Sequence, residues 1–208
     1  MSRHWHGVVR ALVVGLLAAA CAGATRPTPS ADDPLIQPSP RLESSLLRFF
    51  ELNLGEAIDG LAISGGGQNG AYGVGLIQGW RKIGIPRFDV VTGVSTGALT
   101  ASHVFLDSAE ADRVLAEFYT SVRQSDILCK RNVIHGLTSD AFADMAPLEA
   151  LLERVIDDAL IDRVAEASEG GKRLLLVGTV NLDTGGYRIW DLGAMARTGQ
   201  YDKYRAVL

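Results

Sequence analysis

The sequence predicts an α/β fold, a mainly parallel sheet flanked by helices. Three observations predict it. Short apolar runs end abruptly in glycine, at Gly65-Gly66-Gly67 and at Gly93. Stretches with apolar residues at helical spacing lie between those runs. The connections are long enough to hold a helix, as parallel strand pairs require. Composition agrees with a packed domain. A length of 208 residues bounds the chain to one domain with short appendages. Apolar residues at 47% and charged residues at 21% exclude a wholly disordered chain. Lys and Arg total 20 against 24 Asp and Glu, a net charge of −4, which argues against a nucleic-acid partner. Two cysteines exclude a disulfide framework and a Cys-based zinc site.

Residues 1–21 read as an address. Arg3 and Arg10 precede the apolar run Ala11 to Ala20, which is too short for an ordinary membrane span and suits a secretory signal. Leu17-Ala18-Ala19-Ala20-Cys21 resembles a bacterial lipobox with Cys21 as the lipidated residue, although Ala18 stands where that pattern prefers Leu. The alternative is an ordinary signal peptide cut near Ala20 or Ala22. Residues 22–41 hold five of the seven prolines and read as an extended tether. This favours an exported, membrane-anchored lipoprotein whose folded domain spans residues 42–208.

Within that domain, Leu61 to Ser64 reads as a buried strand and Ala71 to Lys82 as a helix, with Val74, Ile77 and Trp80 on one face. Gly84 and Pro86 end it. Phe88 to Thr92 is a second buried strand, with a helix starting just after Ser95. A helix follows from about Ala109 to Val122. Residues 124–145 lack periodicity and read as a loop or lid. Pro147 to Ala165 reads as one helix with Leu148, Leu151, Leu152, Val155 and Ile156 on its core face. Its charges, Glu153, Arg154, Asp157, Asp158, Asp162 and Arg163, read as a solvated face. Leu174 to Val180 and Tyr187 to Leu192 form a hairpin around Asp183-Thr184-Gly185-Gly186. Trp80 and Trp190 read as core, and Cys129 as a lone thiol.

Two glycine clusters carry the chemistry. Gly65-Gly66-Gly67-Gln68-Asn69-Gly70 follows a strand and opens a helix, so several backbone N–H groups can converge on one negative charge. Phosphate binding and oxyanion stabilisation both want that arrangement. A dinucleotide unit would place an acid at the far end of the second strand. Asp89 has a suitable count but begins that strand. The strand ends instead in Gly93-Val94-Ser95-Thr96-Gly97. This G-x-S-x-G turn holds the Ser95 hydroxyl exposed at the carboxyl end of the sheet, with the next N–H free for an oxyanion. The bland alternative is Ser95 as a helix cap.

Together the clusters resemble the patatin-like phospholipases, from about Gly60 to the chain end and most closely over residues 60–101. The resemblance implies a three-layer hydrolase with Ser95 as nucleophile. Gly65, Gly66 and Gly67 would form its oxyanion hole, and Gly70, Gly93 and Gly97 would shape the turns. It further implies a Ser–Asp dyad, no cofactor, no metal, and lipid or acyl-ester substrates. The family's catalytic Asp lies in an Asp-Gly-Gly or Asp-Gly-Ala motif. The chain's one Asp-Gly is Asp59-Gly60, before the first strand. The expectation is therefore a chain that is C-terminally incomplete, with the dyad Asp beyond Leu208. Asp183 suits its turn and Asp191 a strand end. His103, eight residues past Ser95 on the elbow helix, is poorly placed as a base. His135 stays open as one. A catalytically incomplete module that binds acyl or phosphate groups is the rival reading.

Overall fold

The computed structural model describes residues 42–84, 87–123, 127, 129–130, 143–144, 146–182 and 185–208. The address segment with Cys21, the tether, His135 and Asp183 lie outside them. The chain divides into two compact units. One holds the described residues of 42–122 and 152–208, and the other holds those of 123–151.

The main unit opens with α1 (Leu42–Leu52). β1 (Gly60–Ile63) leads through a single 3-10 turn, Gly67–Asn69, into α2 (Gly70–Lys82). β2 (Val90–Val94) leads into α3 (Thr96–Phe105) and α4 (Ala109–Ser121). In the second unit, β3 (Cys129–Lys130) pairs antiparallel with β4 (Ala143–Asp144), a short ladder where sequence predicts only loop. Then come α5 (Ala146–Val155) and α6 (Asp158–Ala167). A 3-10 turn at Glu169–Gly171 precedes β5 (Leu174–Val180), β6 (Tyr187–Asp191), α7 (Leu192–Arg197) and α8 (Tyr201–Val207).

The sheet order is β1-β2-β5-β6, with the first three strands parallel and β6 returning antiparallel. The α/β fold with a mainly parallel, helix-flanked sheet is as the sequence predicts. Residues paired across strands share a face. Leu61, Val91 and Leu175 therefore form one row, and Ile63, Gly93, Val177 and Trp190 the next. This face carries the core, with Leu99, Phe105, Leu160, Ile161, Val164, Met195 and Tyr204 packed on it. Residues 97–105 of α3 are all buried, so this helix is enclosed on every side. Val91, Leu175 and Ile161 are fully buried; each such side chain contributes about 1.5–3 kcal/mol. The Trp190 indole N–H donates to Thr179 Oγ1 at 2.7 Å, which satisfies its one polar atom.

On the opposite face α1 lies against β6, with Phe49 buried and the Arg48 Nε donating to Gly170 O at 3.2 Å. Farther along that face Val94, Val180, Tyr187 and Ile189 stay exposed. The Tyr187 ring lies across Gly178, where a Cβ would overlap the phenol oxygen. No helix among the described residues is long and apolar enough to cross a membrane.

Three elements depart from the sequence reading. β2 runs two residues later than predicted. Asp89 is used differently, its carboxylate accepting from Asp59 N at 2.9 Å and its own N–H donating to Asp59 O. The single helix predicted from Pro147 to Ala165 is two. Asp157 breaks it, because its carboxylate accepts from Leu160 N at 2.8 Å and caps α6. Asp157 is thus solvent-exposed, as the sequence reading has it, but acts as a cap between two helices and not as a residue inside one. The helices α7 and α8 were not anticipated at all. Asp157→Ala is expected to cost about 1 kcal/mol by removing the cap. Urea unfolding should show that loss as a lower midpoint at unchanged slope.

Candidate active site

β1 and β2 are parallel neighbours, so the loops that follow them emerge side by side. Ser64 leads into the Gly65–Gly67 loop, and Val94 into Ser95. At Ser95 the chain turns from strand to helix with φ 56° and ψ −131°. Among the described residues only Asp107 shares positive φ without being glycine. Such backbone is costly for a side chain, of order 1–3 kcal/mol, and persists only where the surroundings impose it.

The surroundings here are glycines. A Cβ on Gly97 would overlap Ile63 O and lie 2.7 Å from Ser64 O. A Cβ on Gly93 would overlap Gly97 O and lie 2.7 Å from the Ala98 Cα. Both contacts are with backbone, which cannot swing aside. The elbow is closed down on β1 to a distance only hydrogen permits. Gly65 presses from the other side, where a Cβ would lie 2.8 Å from Ser95 Cβ and 3.4 Å from its Oγ. The structure thus brings Ser95, Gly65, Gly93 and Gly97 together. Ser95 itself is exposed.

Gly66 and Gly67 are also exposed, and Gly67 has φ 55°. Among the described residues, no turn, loop or cap hydrogen bond uses the N–H of Gly65, Gly66 or Gly67. The first turns of α2 and α3 contain no acidic residue. Their free N–H groups leave positive potential at this end of the sheet, where a negative charge is favoured. Arg81 and Lys82 lie in the last turn of α2, matching the other pole of that helix.

One residue at this site was missed by sequence reasoning. Tyr119, on α4, presses its phenol on Gly70, where a Cβ would overlap the hydroxyl. The same hydroxyl donates to Thr96 O at 3.4 Å and lies 3.4 Å from Thr100 Oγ1. It joins the start of α2 to the start of α3. The only sequence signal is Gly70 itself, whose missing side chain implies a close neighbour without naming it.

The candidate bases are elsewhere. No side-chain hydrogen bond to Ser95 Oγ exists among the described residues. Asp191 is buried next to Leu176, toward the amino end of β5, and its Oδ1 accepts from Ala194 N at 2.8 Å as the cap of α7. It is remote from the carboxyl end where Ser95 sits. His103 is buried in α3, its Nδ1–H donating to Leu99 O at 3.0 Å, and its Nε2 has no partner among the described residues. It is a core histidine. No group of three or more His, Cys, Asp and Glu among the described residues is placed to hold a metal.

His103 gives a pH dependence. Burial, first, holds its pKa below 6.5; the Leu99 bond opposes this, Arg163 adds to it, and Asp157 opposes it. The folded ring therefore takes up a proton only at a lower pH than the unfolded chain, which does so below about 6.5. The unfolded state then binds more protons, so this contribution to stability is complete above pH 6.5 and falls as pH drops below it. Melting temperatures from pH 7.5 to 5.5 should fall less steeply in His103→Leu than in the wild type. Equal slopes would remove His103 as the cause.

No curated protein and no solved structure matches the chain. The model of the patatin-like phospholipase family matches residues 61–199, more than half of the chain and inclusive of both glycine loops, and the chain therefore belongs to the patatin-like phospholipase family.

Proposed function

We propose that the chain is a serine acyl hydrolase of lipid esters, with Ser95 as its nucleophile. The family supplies the broad chemistry, lipid acyl hydrolysis. The observation that supports Ser95 is its backbone, an exposed serine forced to φ 56° between a strand and a helix. In the proposed reaction a carboxylate takes the Ser95 proton as Oγ attacks the ester carbonyl. The N–H groups of Gly65, Gly66, Gly67 and Thr96 are the proposed donors to the tetrahedral oxyanion, each worth about 2.7–4 kcal/mol if lost. Collapse expels the alcohol, and water then releases the fatty acid from the acyl-enzyme. Exposed Tyr72, Val94 and Val180, with Leu182 just beyond β5, lie where elements meet this end of the sheet and suit an apolar substrate. No residue is assigned as the carboxylate.

One observation favours a second reading, a module that binds acyl or phosphate groups without turnover. No described acid or imidazole hydrogen-bonds Ser95. A fluorophosphonate probe separates the two. Labelling that maps to Ser95 by peptide sequencing is the expected result. A folded chain that stays unlabelled would leave the binding module standing. The proposal extends to export, with Cys21 as the lipidated residue and the membrane as partner. Cys21→Ala should then move the protein from the membrane fraction to the soluble exported fraction.

A further inference from the structure

The foot of the sheet, at the opposite end from Ser95, holds a buried cation that no ion pair among the described residues neutralises. Arg173 immediately precedes β5 and is 4% exposed. Its Nε and Nη2 both donate to Phe88 O, at 2.9 and 2.8 Å, and its guanidinium lies 4.1 Å over the Phe105 ring. These contacts fix the group but do not neutralise it. No ion pair among the described residues includes it. Buried charges are ordinarily paired, because burial of a lone charge costs several kcal/mol.

Arg173 borders a cavity of about 420 Å³ that Arg87, Arg163, Ser108, Asp107 and Glu166 also line. Asp107 is already engaged by Arg81, which also pairs with Asp112. Arg163 Nε is buried with no hydrogen-bond partner among the described residues, and its Nη1 lies 3.9 Å from Glu110. Three guanidinium groups therefore meet at this cavity with Glu166 as the one lining carboxylate not held by Arg81. Burial, and after it the neighbouring Arg87 charge, pull the Arg173 pKa down to about 10. Ser108 Oγ accepts from Ala111 N, which leaves its O–H free to donate.

We infer that this cavity binds a phosphoryl group between Arg87, Arg163 and Arg173, separately from the Ser95 site. Guanidinium groups fixed in place offer paired N–H donors to the oxygens of a phosphate, a geometry that an ammonium lacks. Nη1 of Arg173 is the donor its structural contacts leave over. The phosphoryl group can come from a free phosphorylated solute or from the headgroup of an anionic lipid.

Inorganic phosphate is the probe, titrated into the full chain at low ionic strength with chloride as the control. Saturable binding that raises the melting temperature is expected, with affinity roughly tenfold or more weaker in Arg163→Gln and in Arg87→Gln. These two variants carry the test because Arg173→Met also removes the Phe88 clamp and can fail to fold. Retention on phosphatidic acid vesicles, competed by phosphate and lost in Arg87→Gln, would identify the headgroup as source. Saturable phosphate binding without that retention would identify a free anion. No saturable binding at tens of millimolar phosphate, or binding unchanged in both variants, overturns the site. Fluorophosphonate labelling of Ser95 is expected to be the same in Arg87→Gln as in the wild type, so the two sites fail or stand separately.

Discussion

Gly97→Ala is expected to be among the most destabilising single substitutions in this chain. The added carbon would overlap Ile63 O and sit 2.9 Å from the Ile63 carbonyl carbon. Ile63 is held in register with Gly93, so β1 cannot retreat without breaking its ladder to β2. Overpacking against side chains costs about 1–3 kcal/mol, occasionally more. Here the obstacle is the backbone of Ile63 and Ser64, so the loss should reach about 3 kcal/mol or beyond, out of a typical total of about 5–15. For a chain of this size that is a fall of roughly 6–12 °C in melting temperature. Gly93→Ala should behave alike. Gly79, in α2, is the control, since a Cβ there meets nothing within 4 Å. Gly79→Ala should be neutral or stabilising by up to about 1 kcal/mol. Calorimetric melting of the three variants decides the matter. A Gly97→Ala protein that melts with the wild type would mean that the Ile63–Ser64 backbone gives way at the elbow without cost.

The parallel core was legible because its signals are local. β5 is rich in Leu and Val, with Gly178 and Thr179 near its end, and coincides with its predicted span, Leu174–Val180. The glycines after β1 and within β2 mark both turns, and at Gly65 and Gly93 a Cβ would crowd the neighbouring turn. What the sequence concealed depends on partners. A carboxylate inside an apolar-patterned segment reads as surface charge, so Asp157 was folded into one long helix instead of capping a second. Asp89 reads as part of the predicted strand Phe88 to Thr92 because its use, bracing Asp59, is a tertiary contact. The helices α7 and α8 are short, and their signals lie in Asp191 as a cap and in Tyr204, a buried tyrosine whose hydroxyl donates to Ser102 Oγ at 3.2 Å.

The candidate site divides in the same way. Ser95 and its glycines were readable because spacing alone sets their geometry. Tyr119 was not, because it acts across 23 residues on Thr96 O. Arg173 was not either: as one arginine before a strand it carries no pattern, and only the fold shows that it is buried beside Arg87 and Arg163 with no ion pair among the described residues. Arg163 itself read as part of a solvated face, and the fold turns its Nε inward.

Ser95→Ala and Ser95→Gly are expected to abolish ester turnover alike and yet to differ in stability. Both delete the proposed nucleophile, so neither should be labelled by a fluorophosphonate or release fatty acid from a lipid ester. Their backbones differ. Alanine keeps the Cβ and with it the cost of φ 56°, of order 1–3 kcal/mol. Glycine visits that region freely, at about 0.5–1 kcal/mol of extra unfolded-state entropy. Glycine also removes the Cβ against which Gly65 is pressed. Ser95→Gly should therefore melt above Ser95→Ala, by up to roughly 2 kcal/mol or several degrees. Turnover by either folded variant would remove Ser95 from the mechanism. Equal melting with turnover lost would keep the nucleophile but deny that strain is stored beneath it. The expected order, inactive and more stable with glycine, would mean that the fold gives up stability to hold one hydroxyl in the open, which a helix cap would not require.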